Sequence, residues 1–340
     1  MTESICHSRA AKADIAIALV SRVWAQACRA AGRAVTEPSA VVSLKSHKPG
    51  RKSGAYRLEG IAPRVIAKRC QRDTALVEQL AYERVLPEIG LSGLVFYGGF
   101  DDPVDPSYRW LLVEDAGSVK PMESDRAMVA EWLARLHTRS AALADALPFP
   151  ERGPVHYLKH LQGARDNIER CVSSVKLSAT ERGTLEGLLR SLDRLEARWD
   201  AICTSCDALP RTLVHGDVAR KNSRIRATPA GLSIVMLDWE TAGWGPPGGD
   251  LRSWARPAKK TPGGWGGTVP LDVYTAAVAS AWPSVTLHDV ERQSAMGTVF
   301  RLVAGIRWAS EALNVGGSSQ GVTKLGVLFN ALSACEDAPS

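Results

Sequence analysis

The chain has 340 residues, of which 45% are hydrophobic and 23% charged, and its formal net charge is +6. This composition is ordinary for a globular protein and excludes collagen-like, disordered and fibrous classes. Because a single hydrophobic core stops growing at roughly 250 to 300 residues, the length predicts two lobes.

The positive charge lies mainly at the N-terminal end. Residues 1–113 hold 16 Lys and Arg against 11 Asp and Glu, whereas residues 114–340 hold 26 against 25. A short basic run (Lys45, Lys48, Arg51 and Lys52) suits a loop over the phosphates of one nucleotide as well as a contact with nucleic acid. Aromatic residues are only 6% and do not alternate with basic ones, which argues against nucleic acid as a partner.

Targeting and redox signals are weak. The longest apolar stretches, such as 15–20 and 110–113, fall far short of the roughly 20 residues of a membrane-spanning helix. The first residues lack the basic start and apolar core of a secretory signal, so we expect a cytoplasmic protein. Seven cysteines, an odd number, suit reduced thiols, and the lone Cys203-x-x-Cys206 is expected to be incidental.

In chain order, the first third predicts a helix followed by a small β-rich lobe. Apolar residues at helical spacing predict a helix over Ala11–Arg33. Short apolar runs between turn residues predict antiparallel strands, and one helical stretch separates the third from the fourth. These runs are VVSL, AYRLEG and RVIAKRC, then the helical TALVEQLAYERVLPEI, then LVFYGGF and WLLVEDAG.

Beyond Gly117 the pattern is mainly helical, with one embedded hairpin formed by TLVHGD and GLSIVMLDWE. The predicted class is α+β, with a small antiparallel-sheet N-lobe and a larger helical C-lobe. We expect a helical extension (1–40), an N-lobe (41–113), a hinge (114–117) and a C-lobe (118–340). The predicted helices cover Asp125–Thr138, Tyr157–Val172, Arg182–Trp199, Leu271–Ala281, Asp289–Leu313 and Val322–Ala334.

The strongest chemical signal is LVHGDVARKN at residues 213–222. Asp217 follows a strand, Asn222 comes five residues later, and Asp238 ends the next strand in Asp-Trp-Glu. Phosphoryl transfer needs a carboxylate to orient the acceptor hydroxyl and oxygen ligands to hold Mg²⁺ against nucleotide phosphates. Asp217 suits the first role, and Asn222 and Asp238 suit the second.

This pattern, HGDxxxxN followed by an apolar strand and DWE, resembles the Brenner-type motif of the aminoglycoside phosphotransferase and choline kinase superfamily, which has a protein-kinase-like bilobal fold. The resemblance implies that Asp217 is the catalytic base and that Asn222 and Asp238 bind Mg²⁺. It also implies that Asp250, in GPPGGDL, is a buried residue that holds the loop.

The same resemblance implies further parts in a fixed order. Lys68 in RVIAKRC would reach the nucleotide phosphates, with Glu78 or Glu83 as its partner, and the ExxxY pattern favours Glu78. LLVEDAG resembles a hinge, which implies that the Glu114 carbonyl and the Ala116 amide contact the base. EWLARLH resembles the helix that supports the catalytic loop, and there we expect a structural histidine, His137.

The chain departs from the family pattern in two places. The loop SHKPGRKSGAY has no GxGxxG, so contact of Ser53 with phosphate and a merely solvated hairpin stay equally open. After Asp217, Arg220 and Lys221 replace small residues. Arg220 either steadies the transferring phosphoryl group or is a solvated loop charge.

The resulting hypothesis is a kinase that uses Mg²⁺ and ATP, or GTP, to phosphorylate a hydroxyl of a small molecule. The acceptor classes are an antibiotic such as an aminoglycoside, which would imply resistance, and a sugar, nucleoside or amino alcohol. The nearly balanced C-lobe favours a neutral or less cationic acceptor. Three tryptophans follow Asp238 in the sequence and either stack on the acceptor or pack in the protein interior: Trp244, Trp254 and Trp265.

Two alternatives remain: a nucleotide-binding pseudokinase that acts as a regulator, and a nucleic-acid-binding protein that uses the basic loop. A pseudokinase usually lacks one of the catalytic residues, whereas all are present here. No long segment for docking a polypeptide lies between Asp238 and Asp250, which argues for a small acceptor. The oligomeric state stays open between a monomer and a homodimer.

Overall fold

The computed structural model describes residues 17–45, 53–144, 146–174, 177–229, 231–251, 269–315 and 319–336. Its strands in chain order are β1 (Ala40–Lys45), β2 (Ser53–Glu59), β3 (Val65–Gln71), β4 (Phe96–Asp101), β5 (Tyr108–Glu114), β6 (Thr212–Val214), β7 (Ser223–Thr228), β8 (Gly231–Met236) and β9 (Gly243–Gly245). Its helices are α1 (17–30), α2 (Arg72–Leu80), α3 (Leu86–Glu88), α4 (Arg126–Ser140), α5 (Pro154–Ser174), α6 (Ala179–Ala197), α7 (Trp199–Cys206), α8 (Gly248–Leu251), α9 (Leu271–Val278), α10 (Leu287–Glu311) and α11 (Ser319–Glu336).

Two units divide the chain. The first comprises Met1–Lys120 and Lys221–Thr241, and the second comprises Pro121–Arg220 and Ala242–Ser340. The first unit is therefore discontinuous in sequence: the chain leaves it after Lys120 and re-enters it at Lys221 to form β7 and β8. In the described part of the chain, no helix combines the length and the apolarity of a membrane span.

A five-stranded antiparallel sheet in the order β1-β2-β3-β5-β4 forms the first unit. Side chains alternate between its two faces because successive residues of a strand point in opposite directions. On β3, Val65 and Ala67 are fully buried in the core on one face. Ile66 and Lys68 line an open cleft on the other face. Because of this alternation, β3 packs Val65 and Ala67 into the core and directs Lys68 into the cleft.

Helix α1 covers the core face of that sheet. Val20, Val23, Trp24 and Ala27 are buried against sheet residues, with the i, i+3, i+4, i+7 spacing of one helical face. The indole of Trp24 donates to the carbonyl of Thr36 at 2.8 Å. Each buried valine contributes roughly 1.5–3 kcal/mol, so the helix is part of the hydrophobic core of this unit.

The second unit is mainly helical. Its largest core joins α5, α6, α7, α10 and α11 around residues such as Leu161, Leu188 and Phe300. Two helices begin with capping boxes, in which a hydroxyl and a carboxylate satisfy backbone amides: Ser178 with Glu181 on α6 and Thr286 with Asp289 on α10. Long helices with strong start signals explain why sequence periodicity locates most of this unit.

The expected hairpin of TLVHGD with GLSIVMLDWE is wrong in its pairing. β8 pairs with β7, and β6 pairs with the short strand β9. β7 has the sequence SRIRAT, whose charged residues hide a strand from a search for apolar runs. β9 is a Gly-Trp-Gly segment that becomes a strand only through its partner. The composition of a single segment does not predict which distant strand it pairs with.

Candidate active site

A cleft of about 590 Å³ opens on the second face of the sheet in the first unit. Strands β2, β3 and β5, the segment after β5, and residues on both sides of the β7–β8 hairpin supply its walls. Every site residue predicted for nucleotide or metal lines it: Ser53, Lys68, Glu78, Glu114, Ala116, Asn222 and Asp238. The cleft thus gathers residues that lie up to 185 positions apart in the sequence.

Lys68 is held between carboxylates. Its Nζ donates to Glu78 Oε2 at 2.5 Å and to Asp238 Oδ1, and Glu240 Oε2 lies 3.9 Å away. Burial alone would lower the pKa of Lys68, but these carboxylates outweigh it and hold that pKa well above its usual value. The lysine is therefore a fixed positive charge at neutral pH.

Glu78 is the partner of Lys68 on helix α2, and its residue is only 3% exposed. Burial raises the pKa of the Glu78 carboxyl to about 7, Lys68 opposes that rise, and Asp238 adds to it. Glu83, the alternative partner, is exposed and accepts a bond of 2.9 Å from Gln79 Nε2.

Asp238 follows β8 with a backbone φ of +68°, in the left-handed region that few non-glycine residues adopt. Such conformations concentrate at functional sites because the surrounding structure must hold them. Asn222 is buried at 5% exposure, and its backbone carbonyl accepts from the amide of Leu237, the residue before Asp238. The hairpin therefore brings both candidate metal ligands to its open end.

The donor set here fits a divalent cation. Three carboxylates, those of Glu78, Asp238 and Glu240, lie within 4 Å of the Lys68 ammonium group. Carboxylate and amide oxygens, as on Asp238 and Asn222, are the ligands that Mg²⁺ prefers in proteins. Among the described residues, no group of three or more His, Cys, Asp or Glu side chains could hold a metal by itself. A cation in this cleft would take its other ligands from phosphate and water.

The segment predicted as a hinge is held by the β7–β8 hairpin. The Glu114 carboxylate accepts from Arg226 Nη2 at 2.6 Å and from the amide of Val95 at 3.1 Å. The bond from Arg226 lowers the pKa of Glu114. The Arg226 Nη1 also donates to the carbonyl of Gly93 at 2.9 Å. The side chain of Glu114 thus ties the segment that lines this side of the cleft to the β7–β8 hairpin.

The second unit contains Asp217 in a loop held by a buried carboxylate. Asp250 accepts from the amides of His215 at 2.6 Å and Gly216 at 2.8 Å. Gly216 has a φ of +77°, where a side chain would be strained, so this position favours glycine. The amide of Asp217 donates to the ring Nδ1 of His215 at 3.3 Å. The HGD tripeptide is thereby fixed through its backbone.

His137 on α4 completes this loop support. Its ring lies 3.4 Å from Asp250 Oδ2 through Nε2 and 2.9 Å from the hydroxyl of Tyr274 through Nδ1. Both ring contacts are buried within the second unit. Asp250 and His137 therefore occupy structural positions beneath the loop that carries Asp217.

Two arginines of the second unit bear on the same loop. Arg220 Nε donates to the carbonyl of Pro121 at 2.7 Å. Arg301 on α10 was not predicted from the sequence, yet its Nη2 lies 3.5 Å from Asp217 Oδ1. It lies 84 residues beyond Asp217, so no local spacing signals the pair.

Several other expectations can be located. Trp244 is buried at 1% exposure and donates to the carbonyl of Leu147, so it belongs to the packing. Trp254 and Trp265 lie outside the described residues, as do Lys48, Arg51 and Lys52 of the basic run. Cys203 and Cys206 are free thiols.

Comparisons with known proteins identify the family of this chain. Residues 47–285 match the model of the phosphotransferase enzyme family. No curated protein sequence matches significantly.

Solved structures share the fold at low sequence identity. The GDP complex of an aminoglycoside 2'-phosphotransferase-IIIa mutant matches with a TM-score of 0.57 and 15% identity, covering 89% of this chain and 95% of that one. Aminoglycoside phosphotransferase APH(4)-Ia with AMP-PNP and hygromycin B matches with a TM-score of 0.54 and 13% identity, covering 87% and 95%. Choline kinase from Cryptosporidium parvum matches with a TM-score of 0.53 and 13% identity, covering 87% and 89%.

The predicted family and the predicted protein-kinase-like α+β fold are therefore confirmed. The match to the family model spans more than half of the chain and includes both units. The chain belongs to the phosphotransferase enzyme family and is a small-molecule kinase.

Proposed function

We propose that this enzyme transfers the γ-phosphoryl group of ATP, with Mg²⁺, to a hydroxyl group of a small molecule. The observation that carries the proposal is the position of Lys68, bonded to Glu78 and Asp238 inside a cleft large enough for a nucleotide. A lysine held in this way offers a fixed charge to the phosphates. Structural neighbours in complex with AMP-PNP and with GDP support nucleotide binding in this fold.

In this proposal the first unit binds the nucleotide. The Glu114 carbonyl accepts a hydrogen bond from the amino group of adenine, and the Ala116 amide donates one to the adjacent ring nitrogen. Ser53, buried at 6% exposure where β2 begins, lines the same cleft and contacts a phosphate. ATP is therefore favoured, and GTP is the nucleotide to compare with it.

Asn222 and Asp238 would hold the metal ion. Bound Mg²⁺ supplies positive charge that offsets the charge of the nucleotide phosphates. Lys68 supports the same charge balance, because it stays protonated at neutral pH. Glu78 keeps the Lys68 ammonium directed into the cleft.

Asp217 serves as the base of the reaction. The acceptor oxygen forms a bond to the γ-phosphorus while the bond from that phosphorus to the β–γ bridging oxygen breaks. The acceptor proton passes to the Asp217 carboxylate, and ADP leaves with the bridging oxygen. Asp250 and His137 contribute by holding the loop, so that Asp217 meets the hydroxyl in a fixed orientation.

The test is nucleotide turnover by the purified protein with Mg²⁺ and either ATP or GTP. The acceptor panel contains aminoglycosides, other hydroxylated antibiotics, amino alcohols, sugars and nucleosides. We expect phosphate transfer to one class, lost in Asp217→Asn while nucleotide binding is kept. Lys68→Ala should instead weaken nucleotide binding. Near-normal turnover by Asp217→Asn would contradict the assignment of the base. Transfer to an antibiotic would further support a role in resistance.

A further inference from the structure

The neighbourhood of Asp217 in the second unit is not purely acidic. Arg301 Nη2 lies 3.5 Å from Asp217 Oδ1, and the two side chains are 26% and 15% exposed. This separation is longer than the 2.7–2.9 Å of a tight charge-assisted hydrogen bond. Because both side chains are partly exposed, a molecule that approaches Asp217 also meets the guanidinium group of Arg301.

A second residue holds Arg301 in place. The guanidinium carbon lies 5.1 Å from the ring centre of Trp308, which is seven positions further along α10 and on the same side of the helix. Contact of this kind stabilises an arginine without neutralising its charge. Trp308 is 44% exposed, which is unusual for so large an apolar side chain. Trp308 therefore gives the guanidinium group of Arg301 a further contact besides Asp217.

The charge of Arg301 bears directly on the acceptor. An acceptor that carries several ammonium groups would bring positive charge next to a guanidinium, which disfavours binding. A carboxylate or phosphate suits the planar fork of arginine and forms paired hydrogen bonds with it. The geometry favours an acceptor in which a hydroxyl and an anionic group lie a few ångströms apart.

Arg301 also lies outside the segment that defines the family. The family match ends at residue 285, before α10 begins at Leu287. The nucleotide machinery and the HGD loop fall inside the match, whereas the Arg301–Trp308 pair does not. The family match therefore assigns no role to Arg301 or Trp308.

We infer that Arg301 is a specificity-determining residue that selects a hydroxyl compound bearing a carboxylate or phosphate and rejects polycationic acceptors. The inference rests on the proposed function, because it assumes that the acceptor hydroxyl meets Asp217.

The experiment compares acceptors that share a skeleton and differ in charge. The sugar set is glucose, glucuronate, glucose 6-phosphate and glucosamine. The three-carbon set is glycerol, glycerate, glycerol 3-phosphate and 3-amino-1,2-propanediol. Kanamycin represents polycations. Each is tested by phosphate transfer and by thermal protection of the full chain in the presence of Mg²⁺ and a nucleotide. The variants are Arg301→Gln and Arg301→Lys, with Arg307→Gln as the matched control, because Arg307 is similarly exposed on the same helix and pairs with Glu311.

We expect the wild-type kcat/KM to be higher for an anionic acceptor than for the neutral acceptor of the same set, and the ratio of these two values measures the preference for an anion. Comparing the carboxylate with the phosphate in each set shows which anion is preferred. Arg301→Gln should reduce that ratio at least tenfold through KM, Arg301→Lys by less, and Arg307→Gln should leave it unchanged. The KM for nucleotide should stay constant in all three variants.

Two results would overturn the inference while leaving the proposed function intact: transfer to kanamycin as the best acceptor, or a ratio unchanged in Arg301→Gln. If nothing is phosphorylated, the proposed function fails, and thermal protection then decides the inference. Protection by glucuronate or the phosphates that is no greater than protection by glucose and glycerol would overturn it.

Discussion

Replacing Asp250 with asparagine tests how the catalytic loop is held. The Asp250 carboxylate is buried at 3% exposure and accepts two backbone amides, those of His215 and Gly216. Asparagine has nearly the same shape but only one acceptor oxygen. Its amide group would face a backbone N–H, so one buried amide would lose its partner.

The cost follows from these contacts. A hydrogen bond to a charged group contributes about 1.5–3 kcal/mol, and a buried amide left without a partner costs about 1–3 kcal/mol. Together these contributions predict that Asp250→Asn destabilises the protein by about 2.5–6 kcal/mol. This is a large share of a total stability of about 5–15 kcal/mol. Because Asp217 follows the same loop, kcat should fall by at least about a hundredfold, which corresponds to about 2.7 kcal/mol.

Urea unfolding measures the first effect, and steady-state kinetics with nucleotide-binding titrations measure the second. Asp166→Asn is the control, since Asp166 is an exposed carboxylate in the same unit. The affinity for Mg–ATP should persist in both variants, because the residues that line the cleft belong to the first unit. An unfolding free energy within about 0.5 kcal/mol of wild type for Asp250→Asn would refute the reasoning.

Three further predictions concern single positions. Gly216→Ala should lower the free energy of unfolding in chemical denaturation by about 1–2 kcal/mol, because this glycine has a left-handed φ. The control is Gly183→Ala on α6, where an added Cβ meets no atom within 4 Å, and this change should be neutral or stabilising. Equal effects of the two substitutions would contradict this prediction. Arg226→Gln should raise the nucleotide Kd several-fold in a binding titration by releasing Glu114, and an unchanged Kd would rule that out. Burial, with Arg152 and His160, lowers the pKa of His156 to about 3. The unfolded chain binds this proton near pH 6.5, so stability should fall as the pH drops from about 6.5 towards 3, with a shallower slope in His156→Asn; an unaltered slope would contradict the shift.

The nucleotide-binding face was predictable because it follows from local rules. Alternation along β3 puts Lys68 opposite the buried Val65 and Ala67, and a sequence pattern shows this directly. Glu78 lies on α2 and Glu83 lies five positions later, in the π-helical turn that continues it, and the structure buries Glu78 and exposes Glu83. Only one of them can face Lys68, and the residue types alone do not say which.

Pairings between distant segments could not be predicted in the same way. The position of β9 depends on β6, and the meeting of Arg301 with Asp217 depends on how α10 packs inside the second unit. Both are fixed by tertiary structure, and neither leaves a periodic signal in the chain. Motif reasoning therefore locates the residues that carry the family's pattern, whereas it does not locate Arg301.

The discontinuity of the first unit sets the rules for recombining this enzyme with its relatives. A crossover at the hinge would exchange residues 1–120 but leave behind residues 221–241, and with them Asn222 and Asp238. Such a chimera would take Lys68 from one parent and the proposed metal ligands, Asn222 and Asp238, from the other. Grafts that move both segments together would keep Lys68 with Asp238, its bonded partner, whereas moving either segment alone would separate them.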